Sequence, residues 1–280
     1  MAVLSPWLEG FAFLEGPRWH EGRLWVSDMH QHRVWAIDPD GHREQVLQVE
    51  KRPSGLGWLP DGRLLVVSMV DRRVLRLEEE GLVLHADLGE IADWHCNDMV
   101  VDGRGRAYVG NFGFDLDAQE KPRPADLALV HPDGRAEVAA SDLRFANGCV
   151  VTPDGGTLIV AESFGAALTA FTIADDGSLS DRRTFAALEG AVPDGICLDA
   201  EGAVWVASPV SNEFLRVREG GEVTHRIPAD RAAIACMLGG EDGQTLYALT
   251  SKTTDPEEAN GLMSARIETL RVDVPGAGWP

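Results

Sequence analysis

Six segments of this 280-residue chain can be laid over one another, and no other feature of the sequence constrains the fold as tightly. They begin at Glu15 (EGPRWHEGRLWVSD), Ser54 (SGLGWLPDGRLLVVS), Asn97 (NDMVVDGRGRAYVGN), Asn147 (NGCVVTPDGGTLIVAE), Asp194 (DGICLDAEGAVWVAS) and Cys236 (CMLGGEDGQTLYALT). Each has a polar or small opener, a short apolar run, a turn rich in Asp and Gly, and a second apolar run. Gly beside Asp or Asn supplies the positive φ that tight hairpins need. Third and fourth strand-like runs follow in most repeats, for example RRVLRLEE and then GLVLHADL. The openers recur roughly every 40 to 50 residues, the period of four-stranded propeller blades. The pattern predicts an all-β, six-bladed β-propeller, and closed all-β folds of this length commonly form one domain, here residues 1–280. No long helix pattern competes with this reading.

A ring must be closed. The N-terminal PWLEGFAFLE (residues 6–15) and the C-terminal ARIETLRVDV (residues 265–274) are both strand-like, and pairing them in one blade would remove the open edges. The third repeat carries an insertion rich in Pro and charge, GFDLDAQEKPRPAD (residues 113–126). It reads as a loop on one face of the ring, either facing substrate or simply solvated.

The first strand of each propeller blade lines the central channel, so the six openers share one depth. Four of them, Glu15, Asn97, Asn147 and Asp194, carry side-chain oxygens. Asx before Gly often only makes a turn, which would account for Asn147-Gly148 and Asp194-Gly195 singly. It does not account for oxygen donors at four of six equivalent positions. Converging oxygens make a site for a hard divalent cation. The two carboxylates would balance its charge. The expectation is therefore a propeller with one metal ion in its central channel. An all-oxygen set favours calcium or manganese on hardness, and calcium is the expected ion.

The formal charge of −20 argues against nucleic acid and against anionic membrane surfaces. No apolar stretch approaches the length of a membrane-spanning helix. MAVLSPWLEG lacks the basic and apolar regions of a secretory signal, so a cytoplasmic location and a monomer are the default expectations. Cys96, Cys149, Cys197 and Cys236 follow no C-x-x-C pattern and read as buried small filler. Neither a G-x-S-x-G elbow nor a phosphate-binding loop occurs.

The pieces LEGPRW (14–19), SGLGWLPDGRLL (54–65), CNDMVVDGRGRAYVG (96–110), FANGCVVTPDGGTLIVAES (145–163) and VPDGICLDAEGAVWVA (192–207) occur in an order and spacing that is specific. In them the chain resembles the senescence marker protein (regucalcin)/gluconolactonase/luciferin-regenerating enzyme family over nearly its whole length. The resemblance implies a six-bladed propeller with one catalytic divalent cation, whether calcium, zinc, manganese or iron. The implied ligands are Glu15, Asn97, Asn147 and Asp194, the positions the repeats single out. The implied activity is hydrolysis of lactones, especially aldonolactones, so the expected partner is a small-molecule lactone.

In such a site the cation would act as a Lewis acid toward the lactone carbonyl, and Asp194 is the candidate general base for the attacking water. Asn111, at the end of a second strand, is implied to hold substrate or the nucleophilic water, the alternative being a structural Asn at a strand end. Some sugar lactonases of the family carry Arg two residues before the ND motif, where it contacts sugar hydroxyls, but this chain has His95. His95, Asn97, Asn111 and Trp94 are the expected substrate-binding residues. His30, His32, Glu162 and Ser208 are secondary candidates for the mouth. Two rival readings stand beside lactone hydrolysis: a metal-dependent phosphotriesterase-like hydrolase, and a non-enzymatic calcium-binding propeller.

Overall fold

The protein is a six-bladed β-propeller in a computed structural model that describes residues 3–278; residues 1–2 and 279–280 lie outside the described span. Five of its sheets take four strands in chain order from the channel outward. Their innermost strands are Leu14–His20, Pro53–Trp58, Cys96–Val101, Ala146–Val151 and Ile196–Leu198. The sixth sheet runs from Ala232–Gly239 through Thr245–Ser251 and Ala265–Arg271 to the N-terminal strand Ser5–Phe11. That last pairing, with Ser5 opposite Thr269 and Phe11 opposite Ala265, closes the ring as the terminal segments suggest.

Burial falls off from the axis outward, which explains the strand compositions. Second strands such as Leu64–Ser68 (LLVVS) are buried at every residue because both faces press against neighbouring blades. A strand buried on both faces reads as a continuous apolar run. Outer strands such as Arg43–Gln48 and Leu179–Ala187 carry mostly exposed polar side chains. The hairpins between first and second strands turn on glycine. Gly62, at φ +86°, donates its amide to the Leu59 carbonyl at 2.9 Å.

All four cysteines are buried free thiols. Trp19 stacks on Tyr247 with ring centroids 5.5 Å apart, and Trp205 is buried, both in blade packing. One short helix, Pro256–Leu262, lies in the loop before Ala265–Arg271. Its N-cap Asp255 accepts a hydrogen bond from the Glu258 amide at 2.9 Å, with Pro256 in the first turn. Among the described residues, no helix is long and apolar enough to cross a membrane.

Candidate functional site

The channel-side strands do not run regularly past the repeat openers. Their pairing with the next strand slips between Glu15 and Arg18, Pro53 and Leu56, Cys96 and Met99, and Ala146 and Cys149. Such bulges re-aim side chains out of the sheet. The residue after an opener is usually glycine, and the reason is the narrowness of the channel. A Cβ at Gly55 would lie 2.2 Å from the Met99 backbone nitrogen, and one at Gly148 2.6 Å from that of Ile196. These glycines let neighbouring blades touch, so the Asx-Gly pairs here are not merely turns.

The third repeat breaks that rule with Asp98. Its carboxylate pairs with Arg18 of the first repeat at 2.7 Å, and Arg18 also donates to the Met99 carbonyl. Both side chains are buried. The EGPRW and ND motifs are thereby locked together next to the channel floor, a pairing that no spacing in the sequence revealed.

Glu15, Asn97, Asn147 and Asp194 line one cavity of about 250 Å³ at one end of the channel. The amide nitrogens of both asparagines are tied back into the protein. Asn97 Nδ2 donates to the Ala146 carbonyl at 3.3 Å, and Asn147 Nδ2 to Ser163 Oγ at 3.2 Å. Ser163 in turn donates to the Pro193 carbonyl at 2.7 Å. Asn147 Oδ1 and Asp194 Oδ1 are buried without a hydrogen-bond partner. Burial raises the Glu15 carboxyl well above its usual range, and the charges of Asp194 and then Asp98 push the same way. Burial also pushes Asp194 up to about 7, opposed by the Asn147 amide beside it. Unpaired oxygens and two buried carboxyls whose burial outweighs the Gly16 and Asn147 hydrogen bonds and the Arg18 charge fit a bound cation. Among the described residues, no group of three or more His, Cys, Asp or Glu side chains forms a metal cluster, so half of any such ligand set is amide.

The wall above this floor comes from the residues two positions before the openers. These are Phe13, Arg52, His95, Phe145, Val192 and Ile234, and all but Ile234 line the cavity. One sector is basic: Arg52 and His95, joined by His30 from the loop 29–32. Burial lowers His95, and it lowers His30 further, to about 4, with the Arg52 charge adding to both. Both ring nitrogens of His30 are buried without a hydrogen-bond partner. The other sector is aromatic. Phe112 stacks on Phe145 at 4.4 Å, and Phe145 packs against Phe164 at 5.2 Å.

Two expected substrate contacts are not part of this wall. Trp94 is set back behind His95, stacked on it at 5.0 Å. Asn111 spends its amide on the backbone: Nδ2 donates to the Asp126 carbonyl at 2.6 Å and Oδ1 accepts from the Gly113 amide at 2.9 Å. It pins the ends of the 113–126 insertion and is not among the residues that line the cavity. The insertion does reach the cavity through Leu116 and Asp117. Glu162 and Ser208 are likewise engaged elsewhere, Glu162 with Thr169 and Arg182, and Ser208 with Val192 and Ser211. His32 bonds the Glu50 carbonyl at 2.8 Å.

Residues 13–252 match the profile of the SMP-30/Gluconolactonase/LRE-like region. The chain is 28% identical to 6-deoxy-6-sulfogluconolactonase of Pseudomonas putida over 282 residues, covering 95% of this chain and 93% of that one. It is 31% identical to regucalcin of Danio rerio over 170 residues, covering 58% and 56%. Among solved structures, a gluconolactonase from Xanthomonas campestris superposes with a TM-score of 0.77 at 26% identity, covering 97% of this chain and 89% of the other. A luciferin-regenerating enzyme superposes with a TM-score of 0.83 over 99% and 97% of the chains, and at 18% identity it speaks for the fold alone.

Proposed function

The chain belongs to the SMP-30/gluconolactonase/LRE-like family, and on that footing we propose that it is a metal-dependent lactonase acting at the channel cavity. The observation that carries this reading is the floor: two buried carboxyls and two tied-back amides lining one cavity, with the Asn147 and Asp194 oxygens unpaired and both carboxyls raised by burial. The gluconolactonase and sulfogluconolactonase relatives support a cyclic ester as the bond that is cleaved. Glu15, Asn97, Asn147 and Asp194 would hold one divalent cation, with calcium expected from the all-oxygen donors. When bound, that ion polarises the lactone carbonyl and stabilises the charge that develops on its oxygen.

The rest of the chemistry falls to the chain's own side chains. Asp194 is the candidate to accept the proton of the attacking water. Water oxygen bonds to the carbonyl carbon, the ring C–O bond breaks, and the departing alkoxide takes up the proton, giving a hydroxy acid. A carboxylate shared with a cation is a weaker base than a free one, which limits how much Asp194 contributes. Asp194→Asn keeps an oxygen donor and removes that base. Near-normal turnover in this variant would remove Asp194 from the role. Arg52, His95 and His30 face the same space and would orient the ester, His95 standing where some sugar lactonases carry arginine.

The test is pH-stat hydrolysis of aldonolactones and simple γ- and δ-lactones by chelator-stripped protein reloaded with calcium, manganese, zinc or ferrous iron. Metal-restored turnover of a lactone is the expected result. Failure on every lactone with every metal, alongside turnover of a phosphotriester, would replace the reading.

A further inference from the structure

One part of the cavity lining suits a substrate without hydroxyls. Phe112, Phe145, Phe164, Val192, Pro193 and Pro209 line the same cavity as Asn147 and Asp194, with Phe112, Phe145 and Phe164 packed ring to ring. None of the six offers a side-chain hydrogen bond, and together they span five loops. A polyhydroxylated ring placed here would bury hydroxyls against phenyl rings, and an unpaired hydroxyl is costly.

The apolar character continues out of the cavity. Of the nine exposed large apolar side chains among the described residues, five sit on loops at this one end of the channel. They are Val70, Leu116, Phe164, Val210 and Leu262, each on a different loop joining the second and third strands of a blade. Those same loops supply Met69, Leu116, Phe164, Pro209 and Pro256 to the cavity lining. Loops at the outer edges of the ring show no such concentration: Val83, Leu84 and Val138 lie on outermost strands, and Val3 precedes the first strand. The loops that line the cavity thus also carry exposed apolar side chains at its rim. Phe164 belongs to both, half-exposed at the rim and packed on Phe145 within.

We infer that the substrate is a lactone bearing an apolar alkyl or aryl substituent, with the ester over Glu15, Asn97, Asn147 and Asp194 and the substituent along the phenylalanine face toward the rim. The inference rests on the lactonase reading and specifies its substrate class. Arg52, His95 and His30 take the polar edge of the ring, His95 lying beside Phe112 with ring centroids 6.1 Å apart.

The experiment compares γ-valerolactone, γ-nonalactone, an aryl-fused δ-lactone and D-glucono-δ-lactone by pH-stat with the metal-loaded protein. In parallel, calorimetry measures binding of γ-substituted lactams of the same chain lengths, which the enzyme does not open, to the metal-free protein. Each buried methylene contributes a factor of about four, so kcat/KM should rise by up to about 250-fold over the four methylenes that separate the methyl from the pentyl substituent. Lactam affinity should rise in step, with a negative heat-capacity change. Phe164→Ala should flatten both dependences, and Phe164→Leu should restore part of them. Val138→Ser, an equally exposed apolar residue on an outermost strand, should leave the chain-length ratio as it was.

Turnover of gluconolactone together with rates and affinities that are flat across chain length would overturn the inference and leave the lactonase reading intact. Chain-length-dependent lactam binding without turnover of any lactone would do the reverse: the apolar subsite would stand and the lactonase reading would fall.

Discussion

The floor and the rim of the channel are built in different ways. The floor is repetitive: one equivalent position in each of six blades, re-aimed in four of them by a bulge on the innermost strand and crowded by close blade-to-blade contact. The rim is less regular: loops of unequal length, to which Phe112 and Pro209 contribute directly after a second strand and Leu116, Phe164 and Pro256 from differing places. Chemistry that needs fixed geometry is carried by strands, and choice of substrate by loops that vary without disturbing the ring. The floor should therefore be sensitive to any change of side chain and the rim tolerant of most.

The sharpest way to test that contrast is at the floor. Glu15→Gln and Asp194→Asn should each lower lactone kcat/KM by about a hundredfold to a thousandfold, measured by pH-stat at saturating metal. The same changes should raise the thermal midpoint of chelated protein, because each removes a carboxyl that burial holds above its usual range. A drop in both activity and apo stability would mean that these side chains are structural. Next comes the pair below the floor. Arg18→Met leaves Asp98 buried and unpaired and should cost about 3–5 kcal/mol in urea unfolding. Adding Asp98→Leu should recover much of that loss. A cost below the range for surface pairs would show that the two motifs are not locked together there.

The wall gives a pH-dependent effect. His30 titrates at about 4 in the folded protein, against about 6.5 in an unfolded chain. Its contribution to stability is complete above about pH 6.5 and is lost as pH falls toward 4, by up to about 3 kcal/mol. Unfolding free energies at pH 7 and pH 4 should converge by part of that amount in His30→Gln. An unchanged pH slope would mean that another group governs the acid limb. The smallest effect belongs to Asn111. Asn111→Ala should lose about 1–3 kcal/mol of stability, since two buried backbone bonds go with it, and should change kcat/KM little. Collapse of turnover at unchanged stability would return Asn111 to the chemistry.

These contrasts also explain what could be read in the sequence. The six blades and the four convergent oxygens were legible because both repeat: strands of similar composition recur at a steady period, and equivalent positions in a ring must meet at its axis. Ring closure by Ser5–Phe11 was legible from two strand-like termini that needed partners. Trp94 and Asn111 stood out as residue types near the motifs, but side-chain direction, not adjacency, decides access to the channel. Trp94 packs behind His95, and Asn111 is consumed by the insertion it anchors. A positional signal for the wall was available: Phe13, Arg52, His95, Phe145 and Val192 all stand two residues before an opener. Of these, only His95 is marked by its chemical type; the other four are marked by register alone. The Arg18–Asp98 pair joins residues 80 apart, and no local pattern marks it.

The central claim is that four channel oxygens from four blades hold one divalent cation. Calorimetric titration of chelator-stripped protein with calcium, repeated on the Glu15→Gln/Asp194→Asn double variant, tests it most directly. The expected result is one ion per chain in the wild-type protein and none in the variant. Equal binding by the two proteins, or no binding by the wild type with calcium, manganese, zinc or ferrous iron, would contradict it.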